Sequence, residues 1–90
     1  MDELLTLLAA TNDFISIEIE TPGIELTQNM VVISSESYLD GLKLYTSDEG
    51  TLFLSKLICE LISRTENEDF ISFTLKTANN VIIRITLGKS

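Results

Sequence analysis

The chain has 90 residues, a formal net charge of −8, 44% apolar residues and no histidine. That length fits one domain, and the apolar share is too high for a disordered acidic tail. The acidity excludes direct binding of DNA, RNA or anionic lipid, which needs clustered lysine and arginine.

Residues 2–10 are predicted as a short helix. Leu4, Leu5, Leu7 and Leu8 recur at helical spacing, and Asp2 and Glu3 suit the positive end of its dipole. Thr11, Asn12 and Asp13 break it. Over 14–20, Ile15, Ile17 and Ile19 alternate with Ser16, Glu18 and Glu20, the pattern of a half-buried strand. Thr21-Pro22-Gly23 reads as a turn. A second strand runs from Met30 to Ser35. A third, Leu42 to Thr46, follows Asp40-Gly41, the usual composition of a two-residue hairpin turn.

Thr46 and Glu49 have capping-box spacing ahead of an apolar stretch. There Leu54, Leu57, Ile58, Leu61 and Ile62 fit a second helix of about four turns, with Glu60 and Arg64 as an exposed i,i+4 pair. Leu52 and Leu54 also alternate with Thr51, Phe53 and Ser55, which supports a competing strand over 51–55. After a polar break at 65–69 come strands over 70–76 and 81–87, joined by Thr77-Ala78-Asn79-Asn80.

The expected fold class is therefore α+β: a single antiparallel sheet of about five strands with two helices on one face, in the order α-β-β-β-α-β-β. Leu57, Ile58, Leu61 and Val81 are expected in its core beside Leu4, Leu8 and the inward strand residues. The order is similar to that of class I type III secretion chaperones, a likeness of topology alone. Those proteins are also acidic, and longer by a further C-terminal helix.

Residues 13–21 (DFISIEIET) echo residues 69–77 (DFISFTLKT) at an offset of fifty-six. The echo is read either as a duplicated αββ unit or as the shared composition of alternating strands. Both readings give the two segments one structural role, with 15/17/19 and 71/73/75 facing the core. Their outward faces differ: Ser16, Glu18 and Glu20 against Ser72, Thr74 and Lys76.

Little in the chain supports catalysis, and no cofactor is expected. Without histidine no Ser-His-Asp or Cys-His pair can form, nor a usual zinc site. Cys59, the lone cysteine, sits among Leu57, Ile58, Leu61 and Ile62 and reads as a core residue. The four glycines are isolated, so no phosphate-cradling loop is encoded. Glu66-Asn67-Glu68-Asp69 lacks calcium-loop spacing and reads as a solvated loop, so no metal is expected. No eighteen-residue apolar run exists, and Asp2 and Glu3 stand where a signal peptide would be basic. A cytoplasmic, non-membrane protein is expected.

The first forty-two residues hold Asp2, Glu3, Asp13, Glu18, Glu20, Glu25, Glu36 and Asp40 and neither lysine nor arginine; all six bases lie from Lys43 onward. Such asymmetry suggests an electrostatic partner surface. The expected function is a non-catalytic binding protein that presents carboxylates to a basic protein surface. Its most specific form is a small inhibitor of a nucleic-acid-binding enzyme, a DNA mimic of the kind mobile elements encode. Glu18, Glu20, Glu25, Glu36 and Asp40 are the candidate contacts, with Tyr38 as an aromatic anchor. The alternative is a small acidic homodimeric chaperone or adaptor.

Overall fold

A computed structural model describes residues 1–10, 14–47 and 50–88. Helix α1 (Asp2–Ala10) is followed by seven strands: β1 (Phe14–Thr21), β2 (Ile24–Tyr38), β3 (Gly41–Thr46), β4 (Thr51–Ser55), β5 (Cys59–Glu66), β6 (Phe70–Thr77) and β7 (Ile82–Gly88). They form one sheet in the order β4-β3-β2-β1-β7-β6-β5, and every neighbouring pair is antiparallel. Two meanders, β1 to β4 and β5 to β7, meet where the first strand pairs with the last.

The sheet is curled. Six inter-strand gaps of about 4.8 Å would set the edges of a flat seven-stranded sheet about 29 Å apart. Yet β4 and β5, the two edges, are joined by residues 56–58 alone, four Cα steps that reach about 15 Å at most. The bend lies in β2. Its first half, 24–31, pairs with β1; its second half, 32–38, pairs with β3, and the register shifts at Ile33 between them. A bulge of this kind lets one strand pass from one sheet layer to another.

Helix α1 lies on the inner face of this curl, where Leu4 and Leu8 are fully buried. They join Ile15, Ile17, Val32, Leu42, Leu44, Leu54, Phe73, Leu75 and Ile85 in one core. Its first turn is tied to the β4–β5 link and to the second meander. Asp2 meets Lys56 at 2.7 Å, and Arg64 Nε and Nη2 donate to Glu3 at 2.7 and 3.0 Å. The same guanidinium donates to Glu66 at 2.7 Å and lies 6.0 Å from the centre of the Phe73 ring.

The expected second helix is absent, and the five-strand, two-helix fold with it. The structure has seven strands and one helix among the described residues. Residues 51–55 take the competing strand form because β3 offers them an apolar partner row: Leu52 lies opposite Leu44 and Leu54 opposite Leu42. Leu61 lies opposite Leu75 on β6. A helix would have gathered Leu57 and Ile58 into the core; instead they form the turn between the edges and are 79% and 62% exposed. Leu61 and Val81, also expected in the core, are only half-buried. Glu60 and Arg64 are no longer neighbours, since four residues of strand span about 13 Å. Glu60 instead stands opposite Lys76. Glu49 of the expected capping box lies outside the described residues, as do Thr11, Asn12 and Asp13. Thr46 donates its N–H and its hydroxyl to the Gly50 carbonyl. Without the second helix, the topological likeness to secretion chaperones and the duplicated αββ unit both lapse.

The turns follow local chemistry more closely. Pro22 and Gly23, the latter at φ 87°, occupy the β1–β2 turn. The second hairpin turns at Leu39-Asp40, one residue earlier than expected, and Gly41 opens β3. A side chain at 41 would run into the Leu54 carbonyl on β4. Asn80, at φ 63°, closes the β6–β7 turn. Asn67 Oδ1 accepts the N–H groups of Asp69 and Phe70 at 2.8 and 2.7 Å, which caps the β5–β6 loop.

Urea denaturation distinguishes strand from helix over 51–62. Leu54→Ala, at a buried site, is expected to cost about 2–5 kcal/mol. The double change Leu57→Ser with Ile58→Ser is expected to stay within about 0.5 kcal/mol, because both are already exposed.

Candidate functional site

Side-chain alternation divides the sheet into an apolar inner face and a polar outer one. On the five-strand part the outer rows run across β2, β1, β7, β6 and β5 as Thr27–Glu18–Arg84–Thr74–Ser63 and Glu25–Glu20–Ile82–Lys76–Glu60. The echoed segments β1 and β6 flank β7 on its two sides, and residues fifty-six apart fall on the same row throughout. Inward, Ile15, Ile17, Ile71, Phe73 and Leu75 are buried and Ile19 is half-buried. The echo is thus one structural role filled twice, with β7 shared between the copies.

That arrangement decides where the charges go. Arg84 of β7 has Glu18 on one side and neutral Thr74 on the other, and its Nη1 donates to Glu18 Oε2 at 3.0 Å. Glu18 is therefore compensated and half-buried. Glu20 differs, because its cross-strand neighbours are Glu25 on β2 and Ile82 on β7. Among the described residues neither Glu20 nor Glu25 forms an ion pair. The two-residue turn makes Thr21–Ile24 a hydrogen-bonded pair, so Glu20–Glu25 is the close, non-hydrogen-bonded kind with Cα atoms about 4.5 Å apart. Like charges at that spacing are destabilising. With Thr21, Pro22, Gly23, Ile24, Asn80 and Ile82 the two carboxylates line a shallow groove at the tip of the β1–β2 hairpin.

Glu36 and Tyr38 lie at the other end of β2. Glu36 points outward with Tyr45 and Lys43 of β3 beside it. The Tyr38 hydroxyl donates to Glu36 Oε1 at 2.5 Å and the Tyr45 hydroxyl to Oε2 at 3.2 Å. Lys43 Nζ sits 5.4 Å from the Tyr45 ring centre, and the Tyr38 ring meets Phe53 edge-on at 5.7 Å. The hydrogen bond from Tyr38, then that from Tyr45, then the Lys43 charge hold the Glu36 carboxyl below the ordinary glutamate range. The same bond raises the Tyr38 phenol, which would lose it on ionising. Asp40 lies in the next turn, half-buried, its carbonyl accepting from Lys56 N–H.

The six expected contact residues therefore divide into two groups. Glu18, Glu20 and Glu25 cluster at the hairpin tip, and Glu36, Tyr38 and Asp40 cluster at the far end of β2. Glu25 and Glu36 are separated by eleven residues, about 36 Å of extended chain with a bend between them. They share the outer face but form no continuous row.

Two surfaces went unseen in the sequence. Leu39, Leu57 and Ile58 are exposed on the adjoining turns that Asp40 and Lys56 link. The first half of β2 is exposed on both faces from Ile24 to Asn29. Alternation was the available signal for the latter, since Ile24, Leu26, Gln28 and Met30 continue the period of two; the expected strand began only at Met30. No group of three or more cysteine, aspartate or glutamate residues among those described is arranged to hold a metal ion.

Two outcomes follow from these side chains. Glu20→Lys is expected to stabilise the fold by about 0.5 kcal/mol, less at high salt, because it converts a like-charge pair into an opposite one; urea denaturation reads this directly. Because Glu36 is depressed in the folded chain, its contribution to stability is present above the ordinary glutamate range and disappears as pH falls through the folded value. Tyr38→Phe is expected to raise the Glu36 midpoint in a carboxyl NMR titration and to bring acid unfolding to a higher pH.

Comparison with protein-family models, with curated proteins and with solved structures finds no match to this chain.

Proposed function

We propose that the chain is a non-catalytic, cytoplasmic binding protein whose hairpin-tip carboxylates dock a basic surface on another protein. The observation that carries this reading is the Glu20–Glu25 pair. Two like charges face each other on a solvent-exposed strand pair at a cost to the free fold, while Glu18 two residues away already has Arg84. A lysine or arginine from a partner seated between Glu20 and Glu25 would replace that repulsion with two charge-assisted hydrogen bonds.

The compactness of the patch favours one form of this reading. Glu18 and Glu20 are about 6.5–7 Å apart by strand rise, close to the phosphate spacing along one DNA strand. Arg84 offsets Glu18, so the uncompensated charge is the Glu20–Glu25 pair, suited to a basic pocket on a nucleic-acid-binding protein more than to a long groove. No helix of the described residues is long and apolar enough to cross a membrane.

A partner captured from the native host and then purified provides the test. Its affinity is expected to fall steeply with salt and to drop at least tenfold with Glu20→Lys, the same change that stabilises the free chain. Nucleic acid bound by the partner should compete with the chain. Unchanged affinity of Glu20→Lys together with a flat salt profile would exclude this surface.

A further inference from the structure

We propose that a second copy of this chain pairs antiparallel with the edge of β2 that faces away from β1, at residues 25–29, making a two-fold dimer with one sheet continuous across both copies. The direction of the backbone groups is fixed by two observations. The β1–β2 turn places the backbone groups of Ile24, Leu26, Gln28 and Met30 toward β1, so those of Glu25, Thr27 and Asn29 point away from it. Consistently, the Val31 carbonyl, next in that series, accepts from Ser47 N–H on the outer side at 3.0 Å. Beyond Val31 the edge is covered by β3. Between Ile24 and Met30 no described strand pairs with it.

Exposed edges are normally blunted by short length, charge or proline. The other two edges obey that rule: β4 has five residues, and β5 carries Glu60, Arg64 and Glu66. The 24–30 edge has one charge, no proline, and apolar Ile24 and Leu26 at 67% and 54% exposure.

What points to a second copy is the complementarity of this edge with itself. A two-fold axis at Thr27 makes Thr27–Thr27 a hydrogen-bonded pair and sets Glu25 opposite Asn29 of the other copy. On the inner face it sets Ile24 against Met30 and Leu26 against Gln28. The one charged residue of the edge thus meets an amide that can donate to it. The two Glu25 side chains stand four residues apart along the seam, about 13 Å, beyond the Debye length of about 8 Å at physiological salt. Such an isologous contact closes on itself, and the charged β5 edge remains outside it.

The dimer and the acidic patch share Glu25, but Glu20 lies on β1 outside the seam, so Glu20→Lys tests the patch and leaves the dimer intact. In sedimentation equilibrium at micromolar concentration the full chain is expected at twice its mass. Thr27→Pro should sediment as a monomer with an unchanged far-UV spectrum, since the lost N–H points away from β1. Leu26→Lys, an inward edge charge, should do the same. With Cys59→Ser, an introduced Thr27→Cys should oxidise to a disulfide dimer, because hydrogen-bonded antiparallel pairs hold Cα atoms about 5.5 Å apart, within the 4.4–6.8 Å that a disulfide spans. Ser63→Cys on β5 should not. A monomeric wild type, dimers that survive both edge variants, or equal cross-linking at 27 and 63 would each overturn the proposal.

Discussion

The pairing of β1 with β7 is the constraint on which the architecture depends. Each meander is local, built from hairpins whose turns close within a few residues. Only the β1–β7 ladder, from Ile15–Leu87 to Glu20–Ile82, makes one sheet of them. It joins residues as many as seventy-two positions apart (87 − 15), so chain entropy opposes it until other contacts repay the cost. Its inner face does so through Ile15, Ile17, Ile85 and Leu87, all buried. The outer face adds the Glu18–Arg84 pair at 3.0 Å.

Once that ladder exists, the short β4–β5 link compels the curl, and the curl creates the cavity that α1 fills. The helix is only nine residues long and would be marginal alone. Leu4 and Leu8 give it a place in the core, and Asp2 and Glu3 anchor its first turn to Lys56 of the β4–β5 link and Arg64 of the opposite meander. These ion pairs are solvent-exposed and set orientation more than stability.

The acidity of the chain is unevenly used within this frame. Asp2, Glu3, Glu18 and Glu66 are compensated by Lys56, Arg64 and Arg84, all from the second half. The charge asymmetry of the sequence is therefore partly an internal matching of two halves. Glu20 and Glu25 stand outside that matching, which is why the hairpin tip carries the functional reading. The far end of β2 uses Glu36 differently, as the acceptor for two tyrosines beside Phe53.

Local sequence sufficed wherever one face of a segment is apolar and its ends carry turn chemistry. The inward residues of β1, β6 and β7, the turn at Pro22-Gly23 and the turn closed by Asn80 all follow from residues within a few positions of each other. The separation of Glu18 and Glu20 from Thr74 and Lys76 was legible too, because alternation alone puts them on an outer face. The form of residues 51–66 was not. Leu54, Leu57, Ile58, Leu61 and Ile62 satisfy a helical period and Leu52 and Leu54 a strand period, so the choice belonged to whichever partner surface could bury them. Leu42 and Leu44 of β3 and Leu75 of β6 supplied that surface in strand form. Likewise the sequence determined that the first half is acidic, but only the register of β1 between β2 and β7 decided which glutamate would meet an arginine and which another glutamate. A strand's faces are set by its own alternation, while its neighbours are set by the packing of the whole sheet.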